Sequence, residues 1–201
     1  MKTSKMHCKG ISPLLMDKMT EATLNGLANP AMRPQIDKNR SFDLMAGDKI
    51  YRDPNGRIAL PAEMLFSCLV GAGRNIKVGK KGVSTATTTM LPDLLSIQDS
   101  YLPLTNIPEG VNGAEKDYWS VDKRRGVGYN GKTPTAVAVI RPKFVNWEFS
   151  VTVTHGDKVS ADFVKELFLN AGSTQGLGSF RPNKKGMFGR FTVTKVEEVK
   201  Q

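Results

Sequence analysis

Trp147-Glu-Phe-Ser-Val-Thr-Val-Thr154 alternates without a break: Trp147, Phe149, Val151 and Val153 fall on one face, Glu148, Ser150, Thr152 and Thr154 on the other. A period of two, written in aromatic and β-branched residues, marks a strand whose apolar face is core. Thr135-Ala-Val-Ala-Val-Ile140 just upstream reads as a second clear strand, and Phe191-Thr-Val-Thr-Lys-Val196 alternates as the last. Lys2–Ile11 reads as the first strand, ended by Gly10 and the Ser12-Pro13 turn. Between the last two strands, Ser160 is a good N-cap for a helix whose buried stripe is Phe163, Val164, Leu167 and Phe168, ending near Gly172.

Nearer the start, Asp53-Pro54-Asn55-Gly56 separates two short extended runs and predicts a hairpin. Pro61 then opens a helix with Met64, Leu65, Cys68, Leu69 and Ala72 on its apolar face, running to about Gly73. Pro13–Leu27 places Leu14, Leu15, Met19, Ala22 and Leu24 near helical spacing and predicts a short helix. Residues 29–48 are rich in Pro, Asn and charge and read as one long irregular loop. Leu91–Leu104 reads as partly extended and buried. The order of elements predicts a single α+β domain with helices on one face of an antiparallel sheet.

At 201 residues and 39% hydrophobic content the chain is long enough for one substantial core. No stretch has the roughly 18 uninterrupted apolar residues of a membrane span, and Met1–Lys9 lacks the apolar core of a signal peptide. A cytoplasmic chain without membrane association is expected. Cys8 and Cys68, the only cysteines, have no metal-ligand spacing and read as buried thiols, and no metal or cofactor is expected.

The charge of +10 is concentrated. Arg74, Lys77, Lys80 and Lys81 make one basic segment of +4, Lys116–Lys132 holds +3, and Arg181, Lys184, Lys185 and Arg190 make another +4. Together they carry more than the whole excess, so the remainder is net −1. All three segments are rich in Gly, Pro or Asn and read as loops. Three basic loops on a near-neutral body point to a polyanion.

Two of these loops interleave aromatics with the cations. In Gly176-Leu-Gly178-Ser-Phe-Arg-Pro-Asn-Lys-Lys-Gly186-Met-Phe-Gly189-Arg-Phe191, neither a dinucleotide fingerprint nor a Walker loop fits. The segment instead offers Gly176, Gly178, Gly186 and Gly189 as a backbone cradle for phosphate, four cations to neutralise it, and Phe180 and Phe188 to stack a base. Tyr118, Trp119 and Tyr129 interleave with Lys123, Arg124 and Arg125 in the same manner, although Trp119 suits the core equally well. Stacking plus charge suits a single strand better than a duplex. His7 and His155 are isolated, and the loop carboxylates Asp37, Asp43 and Asp48 form no recognisable pair, so no catalytic residue is assigned.

The early Gly10-x-Ser12-Pro13 element, the Tyr51…Leu60-Pro61-Ala hairpin into a helix and the closing Gly176-x-Gly178-x-x-Arg181-Pro182…Gly186-x-Phe188-Gly189-Arg190-Phe191 loop resemble a family of phage-encoded, stand-alone relatives of the backbone subunits of CRISPR effector complexes, in the RAMP superfamily. The resemblance spans about Gly10 to Val196. It implies a modified RRM or ferredoxin-like core with a projecting thumb hairpin, binding guide RNA and polymerising along it in the cytoplasm of a bacterial or infected cell. By position it implies Arg181, Lys184, Lys185 and Arg190 in the Gly-rich loop (173–190), and Lys123, Arg124 and Arg125 in a thumb-like insertion (about 105–134). Arg74, Lys77, Lys80 and Lys81 would follow the helix that lies along the strand. The chain is short for such a subunit, and its strands carry no aromatic RNA-binding motif.

The leading expectation is therefore a largely sequence-independent binder of single-stranded RNA, self-associating as a filament or joining other effector subunits. A phage single-stranded DNA-binding protein, an RNA endonuclease using His7 or a loop aspartate, and a decoy that caps a host complex remain the alternatives.

Overall fold

The computed structural model describes residues 1–32, 39–108, 117–130, 132–157 and 159–199. Along the chain run β1 (Lys2–Gly10), β2 (Leu14–Leu15), α1 (Glu21–Ala28), α2 (Phe42–Gly47), β3 (Ala59–Pro61) and α3 (Ala62–Ala72). β4 (Lys77–Val78), β5 (Lys81–Gly82), α4 (Leu91–Leu94), β6 (Leu95–Ile97) and β7 (Tyr101–Pro103) follow. β8 (Ser120–Asn130), β9 (Thr133–Phe144), β10 (Glu148–His155), α5 (Ala161–Asn170) and β11 (Phe191–Val199) complete the fold. It is an α+β fold built on antiparallel sheets.

The main sheet has the order β11-β1-β10-β6, every neighbour antiparallel. Alternation decides which side is covered. Met6 and Cys8 of β1, Phe149, Val151 and Val153 of β10, and Phe191 of β11 are all buried, and the buried faces of α3 (Leu65, Cys68, Leu69, Ala72) and α5 (Val164, Leu167, Phe168) join them in one core. Trp147, Phe149 and Phe191 form an aromatic cluster with ring centroids 5.6–6.3 Å apart, a spacing that adds specific packing to burial. The indole N–H of Trp147 donates to the Ser12 carbonyl at 2.8 Å. A Cβ at Gly10 would stand 2.0 Å from that indole nitrogen, so Gly10 is required by the tryptophan. The opposite face of the sheet, with Lys5, His7, Ser150 and Thr152, is polar, and no helix among the described residues covers it.

The Ser160 cap forms as expected, accepting from Phe163 N at 3.1 Å; Pro61, expected to be the first helical residue, is the extended N-cap of α3, which starts at Ala62. The Asp53–Gly56 turn forms with Gly56 at φ 83° and a bridge between Arg52 and Ile58. Buried Asp53 organises it, accepting from the backbone N–H of Asn55 and Arg57 and from Arg57 Nε at 2.7 Å. Burial alone would raise the Asp53 pKa, but these hydrogen bonds, led by Arg57, outweigh it and hold the carboxyl below its ordinary value.

Three expectations are corrected. The helix expected over Pro13–Leu27 starts only at Glu21, capped by Thr20, because Leu14 and Leu15 pair with Phe144 and Lys143 as β2. Their apolar spacing serves strand pairing and core packing, not a helix face. The expected irregular loop at 29–48 contains α2, capped by Ser41 and docked through buried Ala46. Asp37 and Lys116 lie outside the described residues, as does the Tyr129 side chain. Lys123, Arg124 and Arg125 are not in a loop but in β8, which pairs with β9 from Ser120↔Lys143 to Asn130↔Thr133. Thr133–Ala138 are exposed at every position, so this end of the ribbon has no buried face and no hydrophobic alternation to read. Gly126 and Gly128 sit under Val139 and Val137 of β9, where a Cβ would come within 2.6 and 2.9 Å of a valine methyl.

Candidate nucleic-acid interface

The Gly-rich segment leaves α5 through a π-turn (Ala171–Gln175) and folds back on itself before β11. Its backbone is anchored from within: Ser179 N donates to Leu15 O at 2.7 Å, Leu177 N to Gly189 O at 2.9 Å, and Phe188 N to Phe180 O at 3.2 Å. The four glycines expected to cradle phosphate spend their own N–H groups inside the protein, Gly176 on Ala171 O, Gly178 on the Met64 sulfur, Gly186 on Arg181 O and Gly189 on Pro13 O. Their role is close approach. A Cβ would meet Leu15 O at 2.4 Å from Gly178, Phe180 O at 1.6 Å from Gly186 and Leu177 O at 1.8 Å from Gly189. The glycine N–H groups are therefore not available to an anion.

That folding projects Phe180. The residue is 46% exposed and its backbone has φ 55°, a conformation that costs a bulky residue on the order of 1–2 kcal/mol. Two guanidiniums lie against it, Arg124 Cζ at 5.7 Å and Arg141 Cζ at 5.9 Å from the ring centroid. Phe188, expected to be a free stacking ring, is buried and carries the Arg124 guanidinium at 4.6 Å. Each arginine is aimed by a carboxylate: Arg124 Nε donates to both oxygens of Asp122 at 2.8 and 3.0 Å, and Arg141 Nε to Asp17 at 2.7 Å. Asp17 also pairs with Lys49 at 3.0 Å. Lys123 Nζ stands 4.4 Å over the Phe42 ring of α2, which fixes the other face of the ribbon.

Two separate basic segments thus converge. β8 of the ribbon and the Gly-rich loop share one face, with Lys184 and Lys185 exposed at the loop's 3-10 turn (Pro182–Lys184). Arg181 and Arg190 are partly committed, one to Gly178 O and the other to Ser173 O, each at 2.7 Å. Sequence reasoning missed Arg141, Asp17 and Phe42, because each is isolated from any charge run. The available signal was the alternation of β9, which puts Arg141 and Val139 on one face. The third segment stays apart. Arg74, Lys77, Lys80 and Lys81 flank a small exposed hairpin of β4 and β5 turned by Gly79 at φ 60°. It leaves the C-terminal end of α3, whereas Met64 near the helix start touches Gly178, and an 11-residue helix is ~16 Å long.

Trp119 is half-buried against the core rather than free to stack. No protein-family model matches the chain, and no curated protein does. The site is therefore read on its own chemistry. Among the described residues no group of three metal-ligating side chains occurs, and no helix is long and apolar enough to cross a membrane. His7 Nδ1 shares a hydrogen bond with Ser150 Oγ at 2.9 Å on the polar sheet face. His155 is buried against Ser4, its Nε2 3.2 Å from the hydroxyl. Cys8 and Cys68 are buried, and burial pushes both thiols up, Cys68 to about 12. Neither is a thiolate nucleophile at neutral pH.

Proposed function

We propose that this protein binds single-stranded nucleic acid, RNA in preference to DNA, largely irrespective of base sequence, across the face shared by the β8–β9 ribbon and the Gly-rich loop. The carrying observation is the Phe180 cluster: an exposed ring flanked by two arginines, each aimed by a carboxylate, beside the exposed Lys184 and Lys185. An aromatic face stacks any base, and cations track any backbone, so recognition of this kind is tolerant of sequence. The polar sheet face offers no comparable aromatic platform, which favours the loop and ribbon as the strand's path.

The proposed core is ferredoxin-like, of the modified RRM type found in RAMP proteins. Its support is topological: β1-α3-β6 and β10-α5-β11 interleave in the order β11-β1-β10-β6. The β8–β9 ribbon would be the thumb, and Arg74, Lys77, Lys80 and Lys81 would extend the phosphate track past α3. A strand-coating homo-oligomer or a backbone subunit of a CRISPR-like ribonucleoprotein fits this arrangement. The protein purified at low salt without nuclease is expected to carry nucleic acid that RNase removes and DNase does not, because phosphate interactions hold best at low ionic strength. DNase-sensitive single strands would move it to DNA metabolism. A preparation that stays free of nucleic acid when both polymers are supplied would overturn the proposal in favour of a decoy.

A further inference from the structure

Beside Phe180 lies a small polar pocket of about 210 Å³, lined by Asp17, Tyr51, Met64, Gly178, Ser179 and Arg181. We infer that this pocket is a ribose site that reads the 2′-hydroxyl of the nucleotide whose base lies on Phe180. The inference rests on the single-strand reading above and names what makes the site prefer RNA.

The volume is that of about seven waters at ~30 Å³ each, room for a pentose and too little for a sugar together with its base. The lining has the right unspent groups. Among the described residues the Ser179 hydroxyl makes no hydrogen bond. The Tyr51 hydroxyl reaches only the Asp17 carbonyl, at 3.5 Å, the outer limit of such a bond. Arg181 spends one N–H on Gly178 O, and the guanidinium has others to offer a phosphate. The Asp17 carboxylate is held in place by Lys49 and Arg141 and retains lone pairs to accept from a hydroxyl.

Connectivity ties the pocket to the stacking ring. Ser179 and Arg181 are the sequence neighbours of Phe180, and Arg141 bridges Asp17 to the Phe180 ring. A base against Phe180, its ribose in the pocket and its phosphate on Arg181 are the three parts of one nucleotide. A 2′-hydroxyl is both donor and acceptor and can satisfy Asp17 and Ser179 or Tyr51 at once. A deoxyribose forgoes those hydrogen bonds, and a site built for a hydroxyl rejects the analogue that lacks it.

The test is fluorescence anisotropy with labelled oligouridylate and oligodeoxyuridylate of equal length, which differ only at the 2′ position, using the full chain. The wild type is expected to favour the ribo-oligomer about tenfold or more. Ser179→Ala and Tyr51→Phe, each checked for an unchanged melting temperature, are expected to weaken the ribo-oligomer severalfold to tenfold and leave the deoxy-oligomer within twofold. Equal wild-type affinity for the two, or variants that weaken both alike or neither, would overturn the ribose site while leaving single-strand binding intact. A wild type that binds neither oligomer would instead overturn the single-strand reading on which it rests.

Discussion

Replacing Lys123, Arg124 and Arg125 together by Ala is expected to weaken single-stranded RNA binding roughly tenfold and to flatten its salt dependence by about 0.7 in the log–log slope. The slope follows from counterion release at about 0.7 per phosphate neutralised on a single strand, Arg124 being the one of the three that shares the face of Phe180. The loss should be the same for every base sequence, since none of the three reads a base edge. Arg124 needs a control, because it also neutralises Asp122, which is buried, and stacks on Phe188. Stranding that carboxylate costs stability on the order of 1–3 kcal/mol. The double variant Lys123→Ala/Arg125→Ala alters the opposite face of β8, where Lys123 packs on Phe42, and keeps the ion pair and the stack of Arg124, so its slope should stay near the wild-type value. An unchanged slope in the triple variant would remove β8 from the interface.

Gly189→Ala is expected to be strongly destabilising. The residue has φ +70°, and a Cβ would stand 1.8 Å from the carbonyl oxygen of Leu177, the residue whose N–H closes the loop onto Gly189 O. Backbone cannot yield as a side-chain tip can, so the Leu177 N to Gly189 O and Gly189 N to Pro13 O hydrogen bonds would be strained or broken by the move. A cost of about 4 kcal/mol is expected, which for a domain of this size lowers the melting temperature by about 10 °C. Gly79→Ala separates sterics from backbone conformation. Gly79 has φ +60° but nothing within 4 Å of the added methyl, so it should cost only about 1–2 kcal/mol. Equal melting temperatures for the two variants would show that the loop is not packed as described.

Much of this fold was written plainly in the chain. Alternation over Trp147–Thr154 and Phe191–Val196, the Ser160 cap and the Asn55-Gly56 turn each has a local cause, and each element formed where that cause lay. The failures share a physical origin. Leu14 and Leu15 took their conformation from pairing with β9, a partner distant in sequence, and β8 is a ribbon strand with one charged stretch and two glycines covered by valines from across the ladder. The candidate site was legible as composition, cations with aromatics, but not as geometry. Spacing could not tell that Phe180 projects while Phe188 is buried, nor that the glycine N–H groups turn inward. Arg141 and Asp17 became visible only when β9 was laid beside the loop.

The central claim is that the strand lies on the loop and ribbon and not on the polar face of the main sheet. Ultraviolet cross-linking of the intact protein to single-stranded RNA, read by mass spectrometry of the joined peptides, tests it most directly. Cross-links are expected at Phe180 and Tyr51 and in peptides spanning Ser120–Arg125 and Arg181–Arg190. Cross-links confined to β1 and β10 around Lys5, His7 and Ser150 would contradict it.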